Sequence, residues 1–145
     1  LLADDSARKI AEASLTFEEL LIRDKPELPL AQVDGKVLLH GHCHQKAFDV
    51  VKPVQALLGD VAGFEVELIQ TSCCGMAGAF GYGADTYDTS IAMAEANLLP
   101  AIRQEDASTS IIADGTSCRC QIKDGTGRTA EHVAVLLDRL LVSDS

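Results

Sequence analysis

The apolar positions of this chain change period along its length, and those changes divide it into elements. Between Ser6 and Asp24, Ile10, Ala13, Phe17, Leu20 and Leu21 recur at helical spacing, which predicts a leading helix capped by Asp5 or Ser6. Residues 25–35 carry two prolines and a glycine and read as a connector. Lys36 to His40 is a short apolar run, a buried strand, with Gly41-His42-Cys43-His44 following it as a turn. A helix is expected from about Gln45 to Leu58, interrupted at Pro53. Phe64 to Ile69 sets Phe, Val and Leu against Glu65 and Glu67, a second strand that runs straight into Cys73-Cys74-Gly75. Ala84 to Arg103 places Ile91, Ala94, Leu98 and Ile102 on one helical face, with Pro100 disturbing the last turn. Ser110 to Ala113 is a third strand, and Asp114 to Cys120 the turn after it. Beyond the glycines at 125 and 127, Val133, Ala134, Leu137, Leu140 and Leu141 predict a final helix from Ala130 to about Val142.

A leading helix followed by three rounds of strand, turn and helix predicts an α/β fold. The expected sheet is small and mainly parallel, with three to four strands and helices on both faces. Residues 1–145 read as a single domain, with 1–24 as the leading helix and 25–35 as the connector. Apolar residues make up 47% and charged residues 23%, the balance of a globular chain with a real core. The formal charge of -10 would repel a phosphate backbone, so nucleic acid is not an expected partner. No apolar run approaches the length of a membrane span, and no leader for secretion opens the chain; a cytoplasmic location is expected.

The five cysteines carry the chemistry. Their number is odd and their spacing is not that of a secreted disulfide scaffold, so metal or redox chemistry in a reducing compartment is the better expectation. Cys43 follows the first strand, Cys73 and Cys74 the second, and Cys118 and Cys120 the third. In a parallel sheet those three loops leave the same edge, where α/β folds place their ligands. Four or five thiolates without carboxylates favour zinc or an iron–sulfur cluster. Adjacent cysteines suit a cluster with several irons better than one tetrahedral ion, which favours iron–sulfur. The glycines at 75, 78, 81 and 83 let the backbone turn tightly beside a bulky group.

Cys43-His44, Thr71-Ser-Cys-Cys-Gly75 and Gly115-Thr-Ser-Cys118 together resemble the cysteine-rich CCG domain of iron–sulfur oxidoreductases. That domain occurs in heterodisulfide reductase, in the iron–sulfur subunit of glycolate oxidase and in the small subunit of anaerobic glycerol-3-phosphate dehydrogenase. The fuller wording, His40-Gly-His-Cys-His-Gln-Lys-Ala47 with Cys73 to Tyr82, looks closest to the C-terminal part of FAD-linked D-lactate or D-2-hydroxyglutarate dehydrogenases. The resemblance runs from about Phe17 to Leu141. It implies an electron-transfer module of an FAD-dependent 2-hydroxyacid dehydrogenase, with a 4Fe-4S-type cluster on Cys43, Cys73, Cys74 and Cys118. Many such domains end in Cys-x-x-Cys, whereas this chain has Cys118-Arg-Cys120 and Gln121, which leaves a fifth ligand at Cys120 and the cluster type open. Zinc remains an alternative. FAD and a ferredoxin-like iron–sulfur domain are expected as partners outside this sequence, since it has neither an FAD-binding region nor a Cys-x-x-Cys-x-x-Cys run. A piece of a longer enzyme, soluble or peripheral at the inner face of the membrane, is therefore expected. The rival functions are a zinc-stabilised docking domain and a thiol redox module.

Other polar residues carry plainer expectations. His42 and His44 flank Cys43 as hydrogen-bonding neighbours more readily than as ligands. His40 reads as packed, His132 as structural and Lys46 as a solvated helix lysine. Arg119 either offsets thiolate charge or lies in solvent. Thr71, Ser72, Thr116 and Ser117 are placed to donate to cluster sulfurs or to form turns. The Tyr82–Tyr87 segment is expected to lie over the Cys-Cys-Gly loop as a lid.

Overall fold

Val37, Leu38 and Leu39 are all fully buried, as a strand covered on both faces requires. The computed structural model describes residues 4–24, 26–31 and 33–142. It forms a parallel four-stranded sheet from β1 (Lys36–Leu39), β2 (Glu65–Leu68), β3 (Ser110–Ile112) and β4 (Ala130–Glu131), in the order β2-β1-β3-β4. β2 is an edge strand and keeps Glu65 and Glu67 toward solvent, while central β1 and β3 carry unbroken apolar runs. The α/β class and parallel sheet expected from the sequence are both present.

Eight α-helices surround this sheet among the described residues: α1 (Asp5–Ala13), α2 (Phe17–Asp24), α3 (Cys43–Ala47), α4 (Val51–Ala56), α5 (Tyr87–Glu95), α6 (Leu98–Gln104), α7 (Thr116–Thr126) and α8 (Val133–Leu140). A π-helical turn at Leu57–Val61 extends α4, and a 3₁₀ turn lies at Phe80–Tyr82. The first three helices expected from the sequence are each divided. The leading helix breaks at Ser14–Thr16, where Thr16 and Glu19 bond reciprocally in a capping box and start α2 afresh. Its exposed face also differs from expectation: Glu18 is buried, whereas Ile10, Phe17 and Leu20 are exposed.

Pro53 does not interrupt the second helix. The break falls at Phe48–Val50, where Asp49 has φ 56°, and Pro53 sits in the first turn of α4, which leaves its missing N–H without consequence. Pro100 occupies the same position in α6, after a break at Ala96–Asn97. The turn expected at Asp114–Cys120 is largely helical, because α7 begins at Thr116 and ends on Gly127 in the left-handed region. The last helix starts later than expected: Ala130 and Glu131 pair with Ile111 and Ile112 as β4, and His132 caps α8 by accepting from the Ala134 N–H. The connector touches α8 through a bridge between Leu30 and Leu141; Lys25 and Gln32 of that expected segment lie outside the described residues.

The sheet separates two apolar layers. Leu38 and Ile111 face α5, α6 and α7 through Ala94, Leu98, Ile102 and Ile122. Val37, Leu39 and Ile112 face α4, the π turn and α8 through Val54, Leu57, Val133 and Leu136. Cys74, Met76 and Cys118 belong to the first layer, so the chemistry grows directly out of packed core.

Candidate metal centre at the carboxyl edge of the sheet

The strand order makes β1 and β3 neighbours whose connections leave in opposite directions, because β1 leads to β2 on one side and β3 to β4 on the other. A crevice opens at such a switch point beyond the carboxyl ends of the strands. His40 follows β1 there, and its backbone N–H donates to the Ile112 carbonyl at 2.8 Å. Cys73 and Cys74 arrive after β2, and Cys118 lies in the first turn of α7 after β3.

A ring nitrogen of His40 and the Sγ atoms of Cys74 and Cys118 all lie within 4.8 Å of one another. All three residues are buried, at 1%, 4% and 1% exposure. His40 Nδ1 is 3.4 Å from Thr71 Oγ1, whereas Nε2 has no hydrogen-bond partner among the described residues. Cys43, at the start of α3, is exposed, and Cys73 is half-buried with its sulfur accepting the Gly75 N–H at 3.3 Å. These two stand outside the three-residue ring, yet both act electrostatically on Cys118 and on Lys46. Cys120 points elsewhere: it is half-buried against Tyr82, whose hydroxyl is pushed up chiefly by its bond to Cys120 and also reaches Asp124 at 3.4 Å.

Several side chains fix the loops that present these thiols. Lys46 is not a solvated lysine; its Nζ donates to the Thr71 carbonyl at 2.5 Å and to Thr71 Oγ1 at 3.3 Å, strapping the segment before Cys73 to α3. Burial lowers the Lys46 pKa, and the charges of Cys118, Cys73, Cys43 and Cys74 oppose that shift. Arg119 neither faces a thiolate nor lies free. It donates to the Ala113 carbonyl at 2.9 Å and the Asp114 carbonyl at 2.7 Å, holding the β3–α7 junction. His42 caps α3, accepting from the His44 N–H at 3.3 Å, while its Nε2 is 3.9 Å from Cys43 Sγ; burial, then the charge of His44, lowers its pKa. Asp114 accepts from Gln45 at 2.6 Å and from the Val133 N–H at 3.0 Å, tying α3 and α8 to this edge.

Two glycines are needed where they stand. Gly75 has φ +87°, and a Cβ there would strike the Ser90 carbonyl of α5. A Cβ on Gly115 would run into the His42 ring and stand 3.0 Å from Cys118 Sγ, so only glycine lets the β1 and β3 loops meet. The 3₁₀ turn packs on the Cys-Cys-Gly loop where Gly81 meets Met76, but Tyr82 itself leans out toward α7 and is 62% exposed.

The two buried sulfurs behave as a coupled pair. The bond from Cys118 holds the Cys74 thiol well below its ordinary range against the opposing effect of burial, with His40 and the Met76 N–H adding to it. The same bond pushes Cys118 up, and burial and the charges of Cys74, Cys43 and Cys73 push it further. Cys74 is thus the sulfur that ionises more readily and Cys118 the one that keeps its proton. Soft sulfur donors, an unpartnered imidazole nitrogen and no carboxylate in the ring form a donor set suited to zinc or iron, not to magnesium or calcium. The residues present therefore fit a thiolate-held metal group.

No protein-family model matches the chain, and no solved structure matches it. Two curated proteins of Escherichia coli (strain K12) do. Over 116 residues, 79% of this chain, it is 31% identical to a subunit of the anaerobic glycerol-3-phosphate dehydrogenase. Over 113 residues, 76% of this chain, it is 33% identical to D-2-hydroxyglutarate dehydrogenase. The chain spans 28% of the length of the first and 11% of the second. It is thus similar to one segment of larger oxidoreductases.

Proposed function

We propose that this chain is the CCG-type, metal-carrying electron-transfer module of an FAD-dependent dehydrogenase acting on a 2-hydroxyacid of the glycolate, D-lactate or D-2-hydroxyglutarate class. The observation that carries the reading is the arrival of Cys43, Cys73, Cys74 and Cys118 from three successive strand ends at one edge. Its similarity to segments of two dehydrogenases supports the reading further. Cys43, Cys73, Cys74 and Cys118 would hold an iron–sulfur cluster, which accepts and releases single electrons when bound. Around it the chain's own residues orient and insulate. Lys46 and Arg119 fix the loops, Met76 and Ile69 exclude water from below, and the Lys46 ammonium offsets thiolate charge. Substrate oxidation belongs to an FAD-binding domain and onward transfer to a ferredoxin-like domain of the same enzyme, in the cytoplasm or at the inner face of the membrane. No helix among the described residues is long and apolar enough to cross a membrane.

A second reading, a zinc-stabilised docking domain, is favoured by one observation: the His40, Cys74 and Cys118 donor atoms are close enough to share a single ion. Anaerobic reconstitution of the chain with iron and sulfide separates the two. Iron and sulfide retained together, with visible absorption, and their loss in Cys74→Ser but not in Cys120→Ser, is the expected result. Retention of zinc alone would establish the docking domain. A reversible Cys74–Cys118 disulfide without metal uptake would establish a thiol redox module instead.

A further inference from the structure

We propose that His40 is a metal ligand of this chain, binding through Nε2 beside the thiolates of Cys74 and Cys118. The centre is then a mixed nitrogen–sulfur site. This rests on the second, single-ion reading above and deepens it by naming the donor atom, a ligand that the cysteine pattern does not contain.

His40 is 1% exposed and its Nε2 is the one buried side-chain nitrogen or oxygen among the described residues with no hydrogen-bond partner. Buried polar atoms are almost always paired, and this unpaired nitrogen belongs to a ring that has one nitrogen within 4.8 Å of the sulfurs of Cys74 and Cys118, so it calls for an occupant. The other nitrogen explains how Nε2 becomes a donor atom. Nδ1 lies 3.4 Å from Thr71 Oγ1, an oxygen that also accepts from Lys46 Nζ at 3.3 Å. With the imidazole proton on Nδ1, donated to Thr71, Nε2 keeps its lone pair for a metal bound beside Cys74 and Cys118. A ligating histidine shows this same pattern, with its second nitrogen held by an outer partner.

The spacing agrees. Tetrahedral bonds of about 2.3 Å to sulfur and 2.0 Å to nitrogen put ligand atoms roughly 3.5–3.8 Å apart. The three donor atoms already lie within 4.8 Å, so a small closure completes the set. The fourth position falls to Cys43 or Cys73, whose charges already act on Cys118. His40 is also placed by the sheet itself, through its backbone bond to Ile112, which gives the ligand a rigid support.

The test is an anaerobic titration of the metal-free full chain with cobalt(II), followed by optical and proton NMR spectra. The wild-type chain should show thiolate-to-cobalt charge transfer and one strongly shifted, slowly exchanging imidazole N–H. His40→Ala should lose that resonance, and its cobalt affinity should fall on the order of 100-fold, since even outer-shell losses cost 10- to 100-fold. His40→Cys should recover most of the affinity without the imidazole signal. Thr71→Val, which removes the Nδ1 partner and the longer of the two Lys46 contacts while the Lys46 bond to the Thr71 carbonyl remains, should weaken binding about tenfold and keeps the test alive should His40→Ala fail to fold. Wild-type affinity and a retained shifted resonance in His40→Ala, or unchanged binding in Thr71→Val, would overturn the inference and leave the metal centre standing. A wild-type chain that takes up neither cobalt nor iron overturns the metal centre and the inference with it.

Discussion

The pKa values of Cys74 and Cys118 are shifted in opposite directions, and those shifts tie the stability of the metal-free chain to pH. Cys74 has a folded pKa below its ordinary value of 9.0, so its contribution grows as pH rises from that depressed value toward 9 and is lost on acidification. Cys118 has a folded pKa above 9.0, so its contribution is present below that value and is lost above it, where the unfolded chain gives up a proton that the folded chain keeps. Between about pH 5 and pH 8 the folded pair holds one proton fewer than the unfolded pair, and stability rises by at most about 1.4 kcal/mol per pH unit. Urea unfolding of the metal-free chain should therefore show stability climbing across that range and declining above about pH 9. Cys74→Ser should flatten the climb. An unchanged pH profile in that variant would mean that a group other than Cys74 titrates across that range.

At the scale of elements, α7 decides which thiol serves the site. Cys118 and Gln121 are three positions apart and lie on one face, while Cys120 is turned away toward Tyr82. Gln121 is 2% exposed and donates to Ser90 Oγ at 3.1 Å and the Ser90 carbonyl at 3.2 Å. It holds α7 against α5, directly below the Cys-Cys-Gly loop that rests on the same Ser90. Gln121→Leu should lower stability by about 1–2 kcal/mol in urea melts by stranding Ser90, with cobalt or iron stoichiometry kept. Gly115→Ala should cost about 1–3 kcal/mol and weaken metal uptake as well, because its methyl group forces His42 and Cys118 apart.

The sequence made the strands and their shared edge legible because continuous apolar runs and loop positions are local properties. It hid the helix breaks, since the helical period carries on through Phe48–Val50 and Ala96–Asn97, and only backbone geometry marks the interruption. The Thr16-x-x-Glu19 cap was a readable signal for α2, whereas two-residue β4 merged into the period of α8. The packing of His40 is legible in the sequence, but the contact with Thr71 is not, since Thr71 lies 31 positions from His40 and 25 from Lys46.

Over the whole molecule, the site and the fold are linked by where the donors sit. Cys74 and Cys118 are part of the apolar layer formed with α5, α6 and α7, while the layer on the opposite face contributes no donor. Metal bound to the folded chain but not to the unfolded one adds RT ln(1 + [M]/Kd), about 2.7 kcal/mol at a hundredfold excess over Kd. For a chain of 145 residues this should raise Tm by roughly 5–10 °C. Leu57→Ala opens a cavity in the opposite layer and should cost about 2–5 kcal/mol. Its Tm should fall, yet the increment on adding metal should match that of the wild-type chain, because distant sites add independently. Cys118→Ser should abolish the increment instead, since it removes a donor from the ring itself. Calorimetry with and without cobalt(II) on the three chains checks all of this together. Loss of the increment in Leu57→Ala would show that the metal reads the packing of the entire sheet, and that its donors are held by both layers at once.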